Sequence, residues 1–190
     1  MVAIASNYTK KKPTKKKISW ETFQKKYLTR EDKYKYEWVD GYVEKTPRAI
    51  DKTQFYIQQN LTKFFYRLLF KNHFDGDLIA EGDTKFAGNH RRPDLAYYTD
   101  EQIQKAKDGE DVSSQFVIEV ISTTDQMNRV HKKMKDYRKA KVKVVWHIFP
   151  EIQQVHIYKG KKMQVCEGKD ICSAEEVIKG FKLSVNDLFK

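Results

Sequence analysis

Two carboxylates in the middle of this chain are the residues whose types and surroundings best suit chemistry. Asp94 opens a strand-like segment after Pro93, and Glu119 stands inside the apolar run FVIEVI. Carboxylate oxygens are hard ligands of the kind that Mg²⁺ accepts together with water and a substrate phosphate. If their two strands are neighbours, both carboxylates can converge on one ion. The pattern therefore predicts a site for Mg²⁺, with Mn²⁺ as a substitute, and for a phosphate.

A lysine near these carboxylates would help to place or deprotonate the attacking water, or would neutralise charge in the transition state. Residues i and i+2 of a strand share a face, so a lysine two positions after Glu119 would complete the site directly. That position is Ile121, and the lysine must therefore come from another element. The charged helical stretch that follows Asp125, a good N-cap residue, offers Lys132 and Lys133.

Each of these residues also has a simpler interpretation. A Pro-Asp pair usually just begins a strand or a turn. Glu119 could be the structural partner of a lysine or arginine, because a carboxylate inside an apolar strand needs a compensating charge. Lysines in a charged helix usually face solvent. Glu81, which stands beside a glycine, could supply a further carboxylate or simply belong to a loop.

Length and composition favour one soluble globular domain. The chain has 190 residues, of which 39% are hydrophobic and 13% aromatic, and this is enough to bury a core. No apolar run approaches the roughly eighteen residues that cross a bilayer, so we expect no membrane partner and a cytoplasmic location by default. Cys166 and Cys172 show no metal-ligand spacing and are expected to be small buried residues.

The net charge of +11 is unevenly distributed along the chain. Residues 1–17 contain six lysines and no acidic residue. The remainder has 31 basic and 26 acidic residues, which leaves +5 from the totals of 37 and 26. We therefore predict a flexible basic arm over residues 1–17 and a single domain over residues 18–190. Such an arm could contact phosphates through counterion release, or it could be a solvated tail.

Hydrophobic periodicity and turn signals predict alternating strands and helices. A short helix capped by Ser19 precedes a hairpin whose turn is Asp40-Gly41. A long amphipathic helix is predicted over residues 51–69 and a second helix over residues 125–140. The remaining predictions are strands at 78–81, 95–98, 116–121, 142–149, 153–159 and 163–166, a loop at 85–92, and a capped helical turn from Ser184. These elements predict an α/β (α+β) fold with a mixed central β-sheet flanked by helices.

From about Tyr36 to the C-terminus the chain resembles the Uma2 family, which is abundant in cyanobacteria and is placed in the PD-(D/E)XK nuclease superfamily. The segment YEWVDGYVEK is similar to the early hairpin of the family. The most specific similarity lies at Pro93-Asp94, at residues 119–122, and at Lys133, Tyr137, Trp146 and Pro150. The resemblance implies that the mixed sheet has a restriction endonuclease-like arrangement.

The resemblance also implies roles for individual residues. Asp94 and Glu119 would be the metal ligands, and Lys133 would be the lysine that has moved from the strand to the helix. The carbonyl oxygen of Val120 is expected to add a further ligand. Glu37 matches an acidic position of the family hairpin.

Two positions depart from the family pattern. Gln54 stands where the family often has a histidine, which removes the basis for a site histidine. Lys141 stands where a glycine often precedes the next strand, and this difference is expected to concern only the end of the preceding helix.

Together these observations predict a Mg²⁺-dependent endonuclease that hydrolyses phosphodiester bonds in DNA. A basic rim is expected to contact the nucleic-acid backbone through Lys85, Arg91, Arg92, Arg129 and Lys132. Nucleases that cut both strands of a duplex often pair, so a homodimer is compatible with this function. The alternative is a nuclease-fold protein that binds nucleic acid, or serves as an accessory factor, without useful turnover.

Overall fold

The computed structural model describes residues 16–47, 52–72, 74–122 and 126–190. The helices are α1 Trp20–Phe23, continued by a π-helical turn Gln24–Leu28, then α2 Lys52–Asn72, α3 Asp100–Lys107, α4 Met127–Lys139 and α5 Val185–Leu188. The strands are β1 Tyr34–Val39, β2 Tyr42–Pro47, β3 Asp77–Ala80, β4 Thr84–Phe86, β5 Asn89–Arg91, β6 Leu95–Tyr98, β7 Phe116–Val120, β8 Val144–Phe149, β9 Gln154–Lys159, β10 Lys162–Glu167, β11 Ile171–Ser173 and β12 Lys182–Ser184. Most of the predicted arm, residues 1–15, lies outside the described ranges. No helix within those ranges is long and apolar enough to cross a membrane.

The centre of the fold is a six-stranded sheet with the order β10-β9-β8-β7-β6-β3. Within it β7 and β8 run parallel, and the other neighbouring pairs are antiparallel. Helix α4 joins β7 to β8, because parallel neighbours need a crossover connection. The predicted mixed sheet flanked by helices is thereby confirmed.

Alternation along β7 divides the core into two layers. Phe116 and Ile118 belong to the layer that contains the buried face of α2. Val117 belongs to the other layer, together with Tyr137 of α4. Because Glu119 lies two residues after Val117, its side chain points to the α4 side of the sheet.

A second sheet of four strands has the order β2-β1-β5-β4. The β1–β2 hairpin turns at Asp40 and Gly41, whose φ angles are 51° and 85°. Positive φ at both turn residues is what the tightest hairpin turns require, and Asp-Gly meets this requirement at low cost. The predicted hairpin is therefore present at the predicted turn.

The prediction of a loop at residues 85–92 is wrong, because most of this segment forms the hairpin β4–β5. Its turn consists of Ala87 and Gly88, with φ angles of 52° and 84°. Alanine seldom adopts positive φ, so Ala-Gly is a weak turn signal in a sequence. The hairpin matters for the site because its second strand contains Arg91.

Serine side chains cap two helices as predicted. The Thr22 N–H donates to Oγ of Ser19 at 3.2 Å before α1, and the Asp187 N–H donates to Oγ of Ser184 at 3.1 Å before α5. Helix α4 instead has Gln126 at its N-cap position, and Asp125 lies outside the described ranges.

Lys141 adopts a left-handed conformation just after α4, with a φ of 57°. Glycine is the usual residue in this conformation after a helix. The lysine therefore replaces a glycine where the backbone favours one. This placement agrees with the expectation that the departure concerns the helix end.

The C-terminal segment packs against the side of the sheet that faces α2. It contains the short hairpin β11–β12, which the sequence did not predict. Cys166 and Cys172 are buried and unbridged, as expected for small core residues.

Candidate active site

Asp94 connects the two sheets just before β6. Its Oδ2 atom accepts a hydrogen bond from the backbone N–H of Val120, at the end of β7, at 2.8 Å. Its Oδ1 atom accepts a hydrogen bond from Nζ of Lys35, in β1, at 2.9 Å. Because its two oxygens have donors from different elements, the Asp94 carboxylate is held in a defined position.

Glu119 lies on β7, where its side chain is nearly enclosed, with 5% of its surface exposed. Its Oε2 atom accepts a hydrogen bond from Nζ of Lys133 at 2.7 Å, and its Oε1 atom accepts one from the Tyr137 hydroxyl. Lys133 and Tyr137 are four residues apart on α4 and therefore share one helix face. The helix thus supplies the lysine that Ile121 does not.

Asp94, Glu119 and Lys133 line a single pocket of about 530 Å³. The three residues that the sequence assigned to one site are thus close together in the structure. Their neighbours in the pocket wall include Lys35, Glu37, Glu81, Val120, Ile121 and His147. Gln54, at the position where the family often has a histidine, also lines this pocket.

Burial and charge act in opposite directions on the two carboxylates. Burial acts to raise the pKa of Asp94, but the ammonium groups of Lys35 and Lys133 outweigh it and hold that pKa below its usual value. Burial does raise the pKa of Glu119, and the negative charge of Asp94 adds to the effect. The two carboxylates therefore lie close enough to repel each other, which is the condition under which a cation between them is favoured.

Lys133 is protonated at neutral pH. Burial acts to lower its pKa, but the carboxylates of Glu119 and Glu37 outweigh burial and raise the pKa above its usual value. The Lys133 side chain can therefore donate hydrogen bonds and supply positive charge. It does not supply a free amine for removing a proton from water.

Glu37 lines the pocket and belongs to a buried charge network. Its Oε1 atom is 3.8 Å from Nζ of Lys133 and accepts a hydrogen bond from the N–H of Arg92 at 2.8 Å. Its Oε2 atom pairs with Nη1 of Arg91 at 3.2 Å. Glu37 therefore helps to position Lys133. The location of Glu37 in the predicted hairpin did not reveal this role.

The prediction that Arg91 and Arg92 belong to an exposed basic rim is wrong. Arg91 is fully buried, and it pairs with Asp136 through Nη2 at 2.7 Å as well as with the carboxylates of β1 and β2. Arg92 is also buried, with its guanidinium group on Asp83 and on the Leu28 carbonyl at 2.9 Å. Since both guanidinium groups are enclosed and paired, neither is available at the surface.

The other three members of the predicted rim have different positions. Arg129 lines the pocket. The Lys132 side chain is 62% exposed, and its Nζ atom lies 3.3 Å from Oε1 of Glu44. Lys85 pairs with Asp111 at 2.7 Å, and its ammonium group lies over the Trp20 ring. The Lys85 charge is therefore engaged in contacts within the protein.

Lys35 lines the pocket and Tyr137 contacts Glu119, and the sequence revealed neither contact. The sequence did contain an indication that Lys35 belongs to the site. Lys35 and Glu37 are two residues apart on a predicted strand and so share a face, and Glu37 was already a candidate. Tyr137, one of the positions of specific family similarity, is fully buried in the core. Its hydroxyl nevertheless reaches Glu119, so the same residue fills the core and fixes a carboxylate.

His147 is a further buried residue beside the pocket. It is the register partner of Glu119 on the neighbouring parallel strand, so the two side chains share a face. Burial lowers its pKa to about 4, and the imidazole is therefore neutral at physiological pH. Its Nε2 atom is buried without a hydrogen-bond partner in the part of the chain that the structure describes.

The donor set of the pocket fits a divalent ion that keeps much of its own water. Among the described residues, no group of three or more His, Cys, Asp or Glu side chains is close enough to enclose a metal. Mg²⁺ is usually bound by one or two carboxylates together with water and substrate phosphate, so a complete protein cage is not required. Asp94 and Glu119 supply the two hard carboxylates that this mode of binding needs.

The mixed sheet carries Glu119 near the end of β7 and Asp94 just before the neighbouring strand β6. The model of the Uma2 family, described as "Putative restriction endonuclease", matches residues 20–186, and the chain belongs to this family. The fold is similar to the crystal structure of a putative nuclease from Anabaena variabilis ATCC 29413. That likeness has a TM-score of 0.69 at 20% sequence identity and covers 81% of this chain and 89% of the other. The chain has no significant match among curated proteins. Family membership supports a nuclease-like function.

Proposed function

We propose that this protein is a Mg²⁺-dependent endonuclease that hydrolyses phosphodiester bonds in DNA. The observation that carries the proposal is the convergence of Asp94, Glu119 and Lys133 on one pocket, where Lys133 Nζ lies 2.7 Å from Glu119 Oε2. The combination of paired carboxylates with a buried lysine suits a reaction in which negative charge develops on a phosphate.

Asp94 and Glu119 are the residues that would hold the ion, and the Val120 carbonyl could add a ligand. When bound, Mg²⁺, or Mn²⁺ in its place, would lower the pKa of a water and stabilise charge on the phosphoryl oxygens. Glu81 lines the same pocket, with its Oε1 atom 3.7 Å from Nζ of Lys35, and is a possible additional carboxylate.

Lys133 is the group that this chain directs at the reacting phosphate. Its ammonium group is fixed by Glu119 and Glu37, so it needs little rearrangement to hydrogen-bond a water or a phosphoryl oxygen. Tyr137 donates to the other oxygen of Glu119 and thereby keeps that carboxylate oriented. Lys133 would thus position the attacking water and offset charge as the bond to the leaving oxygen breaks.

The approach to the pocket offers cations for the DNA backbone. Arg129 and Lys45 line the pocket wall, and the largely exposed Lys132 lies on the same helix as Lys133. Arg129 and Lys132 thus remain candidate phosphate contacts from the predicted rim, and Lys45 is added in place of Arg91 and Arg92. Contacts of this kind supply affinity and fix the position of the backbone, but they carry no sequence preference.

A binding or accessory protein is the second candidate, and one observation favours it. Each oxygen of Asp94 and Glu119 already accepts a hydrogen bond from a lysine, a tyrosine or a backbone N–H. A site satisfied in this way could be stable without metal. A protein with such a site would bind DNA without cleaving it.

Replacement of Lys133 by methionine tests the enzyme directly, because the change removes the charge and keeps most of the side-chain volume. In plasmid nicking with Mg²⁺, the Lys133→Met variant is expected to lose about 100-fold in rate, as when one stabilising donor is removed. Lys135→Met is the matched control, since Lys135 lies exposed on the same helix. DNA binding in EDTA should be similar in all three proteins. Binding by the wild type without any Mg²⁺- or Mn²⁺-dependent nicking would refute the enzyme and favour the second candidate.

A further inference from the structure

Lys35 is a buried lysine whose ammonium group lies directly on a candidate metal ligand. Its side chain is 10% exposed, and its Nζ atom lies 2.9 Å from Oδ1 of Asp94 and 3.7 Å from Oε1 of Glu81. It comes from β1 in the four-stranded sheet, whereas Asp94 directly precedes β6 in the six-stranded sheet. The contact therefore joins the two sheets at the point where the ion would bind.

The position of Lys35 follows from the alternation of β1. Lys35 and Glu37 lie on one face of the strand, and both line the pocket. The ammonium group also experiences the charges of Glu119 and Glu37, so several carboxylates attract it at once. Buried carboxylates need a compensating cation. Lys35 and Lys133 provide such cations for Asp94 and Glu119.

The two lysines differ in which carboxylate they engage. Lys133 pairs with Glu119 and, more distantly, Glu37, and it reaches the site from α4. Lys35 pairs with Asp94, whose other oxygen is already held by the Val120 N–H. A divalent ion that binds Asp94 therefore meets the charge of Lys35 at close range, on Oδ1, while the Val120 N–H holds Oδ2.

We propose that Lys35 is an internal counter-cation that competes with a divalent metal ion for Asp94 and so sets the metal affinity of the site. This inference rests on the proposed function, because it takes Asp94 as a metal ligand. In the metal-free protein the ammonium group balances the buried carboxylates and keeps the two sheets together. When the ion binds, the ammonium group must share Asp94 or move away, and the repulsion between the two cations weakens metal binding.

A purely structural salt bridge would behave differently from a competing cation. If Lys35 only stabilised the fold, its replacement would destabilise the protein by a similar amount with or without metal. If Lys35 instead competes with the metal ion, the bound metal ion takes over the role of Lys35 in balancing the carboxylate charges. Metal should then stabilise a variant without Lys35 more than it stabilises the wild type, because stabilisation by a ligand grows with its affinity for the folded state.

Titration with Mn²⁺ in the absence of DNA tests this proposal in the full-length protein. Lys35→Met and Lys35→Gln are both expected to bind Mn²⁺ about tenfold more tightly than the wild type, since both remove the competing charge. The glutamine retains an amide donor for Asp94 and serves if the methionine variant folds poorly. Lys135→Met, which changes an exposed lysine on α4, should leave the Mn²⁺ affinity unchanged. In thermal unfolding, the same Mn²⁺ concentration should raise the midpoint of either Lys35 variant more than that of the wild type.

The possible failures point to different conclusions. Unchanged or weaker Mn²⁺ binding in a folded Lys35→Gln variant, with measurable binding in the wild type, would overturn the role of Lys35 and leave the proposed function intact. If neither the wild type nor any variant binds Mn²⁺, the proposed metal-dependent function falls and the role of Lys35 falls with it. If Mn²⁺ binds more tightly to the variants and the gain disappears on adding Asp94→Asn, competition at Asp94 is supported whatever the substrate is.

Discussion

Asp94→Asn and Glu119→Gln are each expected to lose at least about 1,000-fold in the rate of Mg²⁺-dependent DNA cleavage. Both changes keep the side-chain shape and remove the negative charge that would hold the ion. A metal that stabilises the transition state by several kcal/mol accounts for a loss of this size when its binding fails. The rates should be measured on supercoiled plasmid with protein in excess, so that product release does not limit them.

The controls for these two variants concern folding and DNA binding. Glu151→Gln makes the same chemical change at an exposed position after β8 and should cleave like the wild type. The variants should also bind DNA in EDTA at least as well as the wild type, because each removes a negative charge from the pocket. Cleavage by both variants at the wild-type rate would show that the reaction does not depend on these carboxylates.

Arg91→Met is expected to reduce the free energy of unfolding by about 3–5 kcal/mol, the usual cost of breaking a buried ion pair from one side. Arg91 is fully buried, and its guanidinium group contacts Glu37 at 3.2 Å, Glu44 at 3.1 Å and Asp136 at 2.7 Å. Without the arginine, three nearly buried carboxylates lose a shared cation. Urea or thermal unfolding at neutral pH would measure the effect.

The matched comparison for Arg91→Met is Lys105→Met. Lys105 pairs with Glu101 across one turn of α3, and both side chains are largely exposed. Exposed pairs of this kind contribute well under about 1 kcal/mol, so the control should unfold close to the wild type. Arg91→Met unfolding at the same denaturant concentration as Lys105→Met would mean that the buried network contributes little to stability.

Much of the fold followed from local signals. Asp-Gly between two alternating segments predicted the β1–β2 hairpin, because few other pairs accept positive φ at both turn positions. The apolar run around Glu119, the amphipathic helix after it and the next apolar run predicted β7, α4 and β8, whereas the parallel pairing of β7 with β8 became visible only in the structure. The β4–β5 hairpin gave no such signal, because its turn contains an alanine at positive φ.

The candidate carboxylates could be selected from the sequence for a physical reason. A glutamate inside FVIEVI must be compensated, and this made Glu119 the most informative acidic residue in the chain. The prediction for Asp94 depended on whether its strand lies beside the strand of Glu119. In the structure the two carboxylates line one pocket. Selection of Lys133 over Lys132 required the family resemblance, since both belong to one charged helix.

The sequence could not predict the burial of Arg91 and Arg92 or the contact between Lys35 and Asp94. Two arginines before a proline have the appearance of a solvated basic surface. Their burial depends on acidic groups from β1, β2, α4 and the segment between β3 and β4, which come together only in the folded chain. The position of Lys35 against Asp94 likewise depends on contact between the two sheets. Local pattern gives no information about which distant charges will meet.

The position of a bound Mn²⁺ tests most directly whether Asp94 and Glu119 form the metal site of a nuclease. Crystals of the wild-type protein soaked in Mn²⁺ should give an anomalous difference peak within coordination distance of one oxygen from each of the two carboxylates. The peak should lie in the same pocket as Nζ of Lys133. A Mn²⁺ peak elsewhere in the protein, with Asp94 still hydrogen-bonded to Lys35 and Glu119 still hydrogen-bonded to Lys133, would contradict the proposed site.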